Sequence, residues 1–232
     1  TPSGNQVLID GGPGRKILTE LSGVMPVYDK SVDLVVSTHT DFDHLAGLVE
    51  VLKRYDVGMV LESGFVADTK IYKECEKLLV DKKIPRRIVR AGERIVLDRD
   101  SVLNILGPVP EDFTPPSDKA NEVMVVSQLV YGNNKFLFLG DLEKGDEIRL
   151  SHSSYDIASD VLKVAHHGSK YSSTDLFLEG VAPKYNIISV GDSNRYGHPH
   201  AETLARLKLL GAQLYRTDTD GRITLKSDGK RI

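Results

Sequence analysis

The sequence of 232 residues contains one cysteine and no tryptophan. Because Cys75 is the single thiol, the chain can form neither an internal disulfide nor a metal site made of thiolates alone. Aromatic residues make up 6% of the sequence, so extensive stacking on nucleic-acid bases is not expected. No apolar run approaches the roughly 20 residues that a membrane-spanning helix needs, and no signal peptide is recognisable.

A large excess of basic residues is also missing, since the formal net charge is -3. A polyanionic substrate would therefore have to be held by metal ions and a local group of basic side chains. The sequence is 40% hydrophobic and 27% charged, which is typical of one large globular domain, and we predict a single domain over residues 1–232. Residues 1–4 form a turn signature, and we expect a partner strand of the first hairpin to lie upstream of residue 1.

Short apolar runs alternate with helical patterns along the whole sequence. The runs predict a series of strands that includes residues 32–36, 123–131 and 222–226. Helices are predicted for residues 16–21, 43–55, 69–82, 174–179 and 200–210, with a proline-rich loop at residues 108–120. Two strand-rich halves with helices outside indicate an α+β fold in which two sheets pack face to face and are covered by helices.

Four side chains that can bind metals occupy residues 39–44, between a predicted strand and a predicted helix. We call this segment the ligand loop. Alternate positions of an extended loop direct His39, Asp41 and Asp43 to one side, and the start of the helix brings His44 round to them. Such ligands can hold one or two divalent ions about 3.5–4 Å apart. Capping of the helix by Asp43 would account for one carboxylate but not for four ligands, so the pattern favours a metal site.

A further carboxylate, Asp141, follows the apolar strand predicted at residues 136–139. A carboxylate at a strand end can bind two ions through its two oxygens, and the preceding Gly140 allows a close backbone approach. In isolation Asp141 fits an ordinary strand-to-turn aspartate equally well. When the ligand loop is considered as well, a metal-binding role for Asp141 is favoured.

The ligand loop resembles the HxHxDH motif of the metallo-β-lactamase superfamily, with Asp41 in place of the second histidine. Residues 159–169, which contain HHGS, and residues 189–199, which contain YGHP, closely resemble the soluble domain of the ComEC-type competence proteins, which take up DNA. Residues 9–12 resemble the Asp-Gly turn of the superfamily, and residues 215–218 extend the match towards the end of the chain. The resemblance implies a metallo-β-lactamase-like αββα sandwich of two mixed sheets covered by helices.

The resemblance also implies the ligands of the metals. His166 and His198 compete for the terminal ligand position, and His166 is favoured slightly. The other histidine would contact a substrate phosphate or protonate the leaving oxygen. The expected metal ligands are His39, Asp41, Asp43, His44, Asp141 and His166, and the expected catalytic residues are Asp43, Asp141 and His198. Asp10 is expected to orient the ligand loop through hydrogen bonds rather than to bind metal.

Basic and polar side chains after the two histidine motifs are candidates for substrate binding. Arg195, Lys163 and Lys170 would hold a phosphate backbone in a salt-dependent and largely sequence-independent way. A packing role for His167 and a solvated loop around Lys170 are equally open. The expected substrate-binding residues are His167, Ser169, Lys170, Asn194, Arg195 and Tyr196.

No histidine lies between His44 and His152, although the superfamily has a ligand in that interval, where this sequence has Asn121. One metal position would keep Asp43 and His44, and the other would rely on His39 and Asp41, with Asp141 shared. Oxygen ligands favour Mn²⁺ or Mg²⁺ over Zn²⁺ relative to a site made of imidazoles. We therefore expect two divalent ions, with Mn²⁺ favoured and the position at His39 and Asp41 weakly occupied.

The chemistry expected from these residues is metal-assisted hydrolysis at phosphorus or carbonyl carbon. The resemblance implies a nuclease acting on single-stranded DNA or a displaced strand, in particular the strand that is not imported during DNA uptake. It further implies a soluble domain on the extracytoplasmic side of the bacterial cytoplasmic membrane, attached to the transmembrane channel of the same parent protein. The alternatives are a hydrolase of small substrates, such as a lactonase, thioesterase or cyclic phosphodiesterase, and a non-catalytic module that guides DNA.

Overall fold

The computed structural model describes residues 1–109 and 123–232, which fall into two compact units. Unit 1 comprises residues 1–91 and 107–125, and unit 2 comprises residues 92–106 and 126–232. Asn121 and nearly all of the proline-rich loop predicted at residues 108–120 lie outside the described residues. The single domain predicted over residues 1–232 stays a prediction.

Unit 1 contains a four-stranded sheet in which each strand is parallel to the next, in the order β1-β2-β3-β4. A helix lies in each connection between successive strands, as parallel pairing requires. The strands are β1 (Val7–Ile9), β2 (Ser31–Val36), β3 (Asp56–Glu62) and β4 (Arg86–Ile88). The helices are α1 (Lys16–Ser22), α2 (Phe42–Arg54) and α3 (Lys70–Asp81).

Helix α2 is fixed by its apolar face rather than by a side-chain cap. Leu45, Leu48 and Leu52 recur at helical spacing, are at most 2% exposed, and join Val32 and Val35 of β2 in one hydrophobic cluster. Shortening one such leucine to alanine typically costs about 2–5 kcal/mol. The residue before the helix makes no side-chain hydrogen bond to its first turn. Packing therefore determines where the ligand loop ends and the helix begins.

The turn after β1 lies directly against α2. A Cβ atom on Gly47 would stand 1.8 Å from the carbonyl oxygen of Gly11, so only glycine allows this approach. The Gly11 amide donates to the His44 carbonyl over 2.9 Å, and the Gly47 amide donates to the Gly12 carbonyl over 2.8 Å. The contact brings the residue that precedes Gly11 next to the ligand loop.

Unit 2 contains a mixed seven-stranded sheet with the order β11-β10-β9-β8-β7-β6-β5. The β5–β6 and β7–β8 pairs are antiparallel, whereas the β8–β9, β9–β10 and β10–β11 pairs are parallel. The strands are β5 (Arg94–Val96), β6 (Ser101–Gly107), β7 (Val126–Tyr131), β8 (Asn134–Phe138), β9 (Val161–Lys163), β10 (Tyr185–Ile188) and β11 (Gln213–Arg216). The helices are α4 (Lys144–Ser151), α5 (Asp175–Val181), α6 (Ala201–Leu209) and α7 (Thr217–Asp220).

The parallel direction of β8, β9 and β10 determines which segments of unit 2 meet. Because the carboxyl ends of parallel strands lie at the same edge of a sheet, the loops that follow them gather there. Asp141 follows β8, the two histidines of HHGS follow β9, and Ser189 follows β10. The described part of either unit contains no helix with the length and hydropathy to cross a bilayer.

The predicted helices agree with the structure to within two residues at either end, but α4 and α7 were not predicted. The strand predicted at residues 222–226 is wrong, since the structure has no strand there. The segment that follows is tied to the turn between β7 and β8 by isolated hydrogen bonds instead of a ladder. Ser227 Oγ donates to Asn134 Oδ1 over 2.7 Å, and the Asn133 amide donates to the Gly229 carbonyl over 2.7 Å.

Candidate metal centre

The ligand loop of unit 1 brings its two histidines together. His39 and His44 are 1% and 2% exposed, and their ring centroids are 4.1 Å apart. Asp41 immediately precedes α2, and Asp43 lies in the first turn of that helix, as the sequence predicts. The helix start thus presents the four predicted side chains within one short, well-anchored segment.

The spacing within the loop fits coordination better than a direct hydrogen bond. His39 Nε2 lies 3.9 Å from Asp41 Oδ2, which is longer than a hydrogen bond between nitrogen and oxygen. Two ligand atoms that share an ion through bonds of about 2.0–2.2 Å can be separated by up to twice that length. The donor atoms of His39 and Asp41 are therefore compatible with a shared divalent ion.

Asp10, which follows β1, holds the ring of His44. Its Oδ2 lies 2.7 Å from His44 Nδ1, and its Oδ1 accepts a 2.9 Å hydrogen bond from the Thr38 amide. Burial raises the pKa of Asp10, but the charge and hydrogen bond of His44 outweigh this effect and the pKa is lowered. The ionised carboxylate only accepts, so His44 donates from Nδ1. When the imidazole of His44 is neutral, Nε2 is the unprotonated nitrogen, which is the form that binds metals.

Thr38 determines in the same way which ring nitrogen of His39 carries the proton. Thr38 Oγ1 lies 2.7 Å from Asp10 Oδ2 and 2.9 Å from His39 Nδ1. A hydroxyl can donate only one hydrogen bond, and Thr38 donates it to the carboxylate of Asp10. Thr38 Oγ1 therefore accepts a hydrogen bond from His39 Nδ1. In the neutral ring of His39, Nε2 is therefore also the unprotonated nitrogen. Thr38 did not stand out in the sequence, where the only signal was a hydroxyl residue immediately before a histidine.

In unit 2, Asp141 lies beside both histidines of HHGS. Asp141 is 3% exposed, and its Oδ2 is 3.8 Å from His166 Nε2 and 3.5 Å from His167 Nε2. The backbone is fixed by a 3.1 Å hydrogen bond from the His166 amide to the Gly140 carbonyl. The structure therefore brings Asp141 and His166 together, as predicted, and adds His167.

The two histidines adopt an uncommon backbone. His166 and His167 have φ values of 49° and 53°, in the left-handed region that non-glycine residues rarely occupy and that costs of order 1–3 kcal/mol each. His167 Nδ1 lies 2.7 Å from the Ser189 carbonyl, which can only accept, so Nδ1 carries the proton. The neutral tautomer of His167 thus has its lone pair on Nε2, which lies towards Asp141, whereas His166 Nδ1 lies 3.6 Å from Glu143 Oε1.

His198 stands beside the same group of rings. Its centroid is 5.5 Å from that of His166, 6.3 Å from that of His167 and 4.8 Å from that of His200. Burial and repulsion by the neighbouring histidines lower the pKa of His198 to about 4. At neutral pH the ring is therefore uncharged. His200, which the sequence did not single out, is part of this cluster.

The loop that carries His198 is held by Asn194, whose side chain spans the turn. Asn194 Oδ1 accepts from the His198 amide over 2.9 Å, and Nδ2 donates to the His198 carbonyl over 2.7 Å. Arg195 is exposed and donates to the Tyr196 hydroxyl over 2.9 Å. The structure thus shows Asn194 positioning His198, with Arg195 and Tyr196 at the surface.

Other predicted substrate contacts differ in their access to solvent. Lys170 is exposed, with its ammonium 5.3 Å from the ring centroid of Tyr171, and its amide donates to His200 Nδ1 over 3.2 Å. Ser169 is buried, and its hydroxyl accepts from the Tyr171 amide over 3.3 Å. The ammonium of Lys163 is buried, so its predicted contact with phosphate is not supported.

Comparison with known sequences gives a family match over most of the chain. A family model described as the metallo-beta-lactamase superfamily matches residues 2–192. ComE operon protein 3 of Bacillus subtilis (strain 168) is 33% identical over 195 residues, which are 84% of this chain and 24% of that protein. Competence protein ComA of Neisseria gonorrhoeae is 36% identical over 115 residues, which are 47% of this chain and 17% of that protein. The chain spans a quarter or less of these relatives.

Comparison with solved structures supports the same fold. Zn²⁺-bound PqqB from Methylobacterium extorquens superposes with a TM-score of 0.57 and 13% sequence identity, over 93% of this chain and 83% of that one. At this identity the likeness concerns the fold alone. The α+β metallo-β-lactamase-like fold and the resemblance to competence proteins, both predicted from the sequence, are confirmed.

Proposed function

The chain belongs to the metallo-β-lactamase superfamily, and from this premise we propose that it is a metal-dependent nuclease that hydrolyses DNA phosphodiesters. The observation that carries the metal requirement is the orientation of the imidazoles. His44 is held through Nδ1 by Asp10, and His167 is held through Nδ1 by the Ser189 carbonyl, so that each presents an unprotonated Nε2. A histidine with its other nitrogen held in this way is the usual metal ligand.

Mn²⁺ is the favoured ion for the proposed ligands. Bound divalent ions would supply Lewis acidity towards the phosphoryl oxygens and would make the attacking water more acidic. To the ligands predicted from the sequence we add His167, because its Nε2 is as close to Asp141 as that of His166. The proposed set is His39, Asp41, Asp43, His44, Asp141, His166 and His167.

The remaining histidines and basic residues would bind and orient the strand. Lys170 and Arg195 are exposed and would neutralise phosphates, which gives binding that weakens as salt concentration rises. His198 is uncharged at neutral pH. It would therefore form hydrogen bonds with the substrate rather than attract it by charge. Replacing Lys170 or Arg195 with alanine should reduce affinity for all sequences alike and make the salt dependence shallower.

The DNA substrate is proposed from the relatives. One of them is named a competence protein, and the sequence motifs resemble proteins that take up DNA. We therefore propose that the substrate is single-stranded or displaced DNA, and that the strand degraded is the one that is not imported. The proposed setting is the extracytoplasmic side of a bacterial cytoplasmic membrane, next to the transmembrane channel of the same parent protein.

A cleavage assay tests the proposed function. Purified chain is incubated with labelled single-stranded DNA and Mn²⁺, in parallel with Asp43→Ala and Asp141→Ala variants and with Asp56→Ala as an exposed control. The proposal expects cleavage by the parent chain and the control, and its loss in the first two variants. Binding without cleavage would instead support a guiding module. Hydrolysis of esters without action on DNA would support an enzyme for small substrates.

A further inference from the structure

We propose that a groove next to Asp41 binds one nucleobase of a single-stranded DNA, with the ring of Phe42 as its stacking surface. The inference rests on the proposed nuclease function and specifies how the strand would be positioned. The sequence assigned none of the residues of this groove to substrate binding, and it predicted Asp41 to be a metal ligand.

The groove lies within unit 1, between the beginnings of α2 and α3. It has a volume of about 400 Å³, within the range of roughly 300–1,000 Å³ that is typical of sites for small organic groups. Most of its surface is apolar, with polar groups around it. The residues that line it include Thr40, Asp41, Phe42, Thr69, Lys70 and Ile71.

Phe42 is the feature that points to an aromatic ligand. It is the first residue of α2, is 60% exposed, and does not belong to the buried hydrophobic cluster formed by that helix. An isolated exposed apolar residue would require no explanation. Phe42, however, lines a groove that Ile71 of α3 also lines, so a flat ring bound there could stack on Phe42.

The groove borders the ligand loop. Asp41 lines the groove and is also the carboxylate whose Oδ2 lies 3.9 Å from His39 Nε2. A base in the groove would therefore bring its own backbone phosphate near the ligand loop.

The charges around the groove suit a nucleotide. The ammonium of Lys70 can neutralise a phosphate of the strand, and Glu74 can accept hydrogen bonds from the amino groups of bases. The negative charge of Glu74 is partly compensated, since Lys53 Nζ lies 2.7 Å from its Oε1. The groove therefore offers an aromatic face, the cation of Lys70 and two carboxylates, of which Asp41 is a proposed metal ligand. Sites that bind single strands combine basic groups with stacking platforms.

Binding measurements on two labelled strands of equal length and charge test the proposal. One strand is oligothymidine and the other has the same backbone with abasic sites. Fluorescence anisotropy with the whole chain is measured with Mn²⁺ and, separately, with a chelator that prevents cleavage. The variants are Phe42→Ala and Phe42→Trp, and Tyr28→Ala is the matched control, because Tyr28 is 89% exposed and does not line the groove.

We expect the parent chain to prefer the strand that carries bases. Phe42→Ala should weaken binding of that strand by about 5- to 100-fold, as expected from loss of one stacked base, and leave binding of the abasic strand unchanged. Phe42→Trp should retain the preference, and Tyr28→Ala should have no effect. Because Phe42 is exposed, these substitutions leave the core intact, which circular dichroism can check.

The results separate this proposal from the proposed nuclease. Equal affinity for the two strands, or an equal loss for both in Phe42→Ala, overturns the nucleobase site even if the parent chain cleaves DNA. A preference for bases that depends on Phe42, without any cleavage, supports the site and refutes the nuclease. Absence of binding to either strand overturns the site, and a lipid or protein partner would then account for the exposed ring.

Discussion

Asp10 and His44, which are 34 residues apart in the sequence, are joined by a 2.7 Å contact between Oδ2 and Nδ1. The same carboxylate oxygen accepts from Thr38 Oγ1, which in turn accepts from His39 Nδ1. One partly buried carboxylate thereby fixes the protonated nitrogen of both histidines in the ligand loop. Its contribution to metal binding can be measured without altering any proposed ligand.

Replacing Asp10 with alanine should weaken metal binding by about 10- to 100-fold, the usual effect of removing a group that orients a ligand. Without the carboxylate, His44 loses the acceptor that keeps the proton on Nδ1. Calorimetric titration of the metal-free chain with Mn²⁺ measures the change, with Asp56→Ala as a control that alters an exposed carboxylate. Unchanged affinity in Asp10→Ala would show that the contact is not used to prepare the ligands.

Thr38 should control His39 through its hydroxyl alone. Thr38→Val keeps the shape of the side chain but removes the oxygen that His39 Nδ1 donates to, so we expect weaker binding at the position of His39 and Asp41. Thr38→Ser restores the hydroxyl and should restore the affinity. Electron paramagnetic resonance of bound Mn²⁺ follows occupancy. Equal occupancy in the valine and serine variants would contradict the role of the hydroxyl.

The sequence was sufficient to predict the ligand loop because its four side chains are local and lie between recognisable elements. The hydrophobic spacing of Leu45, Leu48 and Leu52 predicts α2, and the structure buries that face. Thr38 could not be identified in the same way. Its function depends on Asp10, which reaches it only because β1 pairs with β2.

The orientation of His167 was equally inaccessible from sequence. Its ring is oriented by a left-handed backbone and by the carbonyl of Ser189, which lies 22 residues away. The nearness of Ser189 depends on the parallel pairing of β9 with β10. The prediction of a strand at residues 222–226 was wrong for a related reason. Alternation of apolar residues does not show whether a neighbouring strand is present to form a ladder.

His166, His167 and His198 can be distinguished by their effects on metal content. Because Nε2 carries the lone pair in the neutral tautomer of His167 and is 3.5 Å from Asp141 Oδ2, His167→Ala should lower the number of bound ions, and His166→Ala should do the same. His198→Ala should reduce the rate of hydrolysis with little change in metal content. Elemental analysis after equilibration with Mn²⁺ gives the counts, and full occupancy in His167→Ala would remove it from the proposed ligands.

Asp41 should determine the preference between metals. Replacing Asp41 with histidine exchanges a hard oxygen donor for an imidazole, which favours Zn²⁺ over Mn²⁺. We expect Zn²⁺ content to rise and Mn²⁺-supported hydrolysis to fall by about tenfold or more, in keeping with the effect of losing one well-placed ligand. Competition between the two ions, followed by elemental analysis, measures the shift. An unaltered ratio would show that the preference is set elsewhere.

Glu147 of α4 should stabilise the segment that follows HHGS. Its Oε1 and Oε2 accept hydrogen bonds from the amides of Ser173 and Thr174 over 2.5 Å and 2.8 Å, and its side chain is fully buried. Glu147→Ala leaves both amides without their acceptor and should lower the free energy of unfolding by about 2–4 kcal/mol. Urea denaturation measures the loss. Glu179→Ala, at an exposed position of α5, should change it by less than about 0.5 kcal/mol.

The same carboxyl should make stability depend on pH. Burial raises the pKa of Glu147, and the amide hydrogen bonds oppose this effect only in part. The folded chain then binds the proton more tightly than the unfolded chain, so this group lowers stability as pH rises from about 4.5 to the raised folded value. Glu147→Gln cannot titrate and should lack that component. Denaturation curves at a series of pH values compare the two proteins, and identical pH profiles would show that Glu147 has its ordinary pKa in the fold.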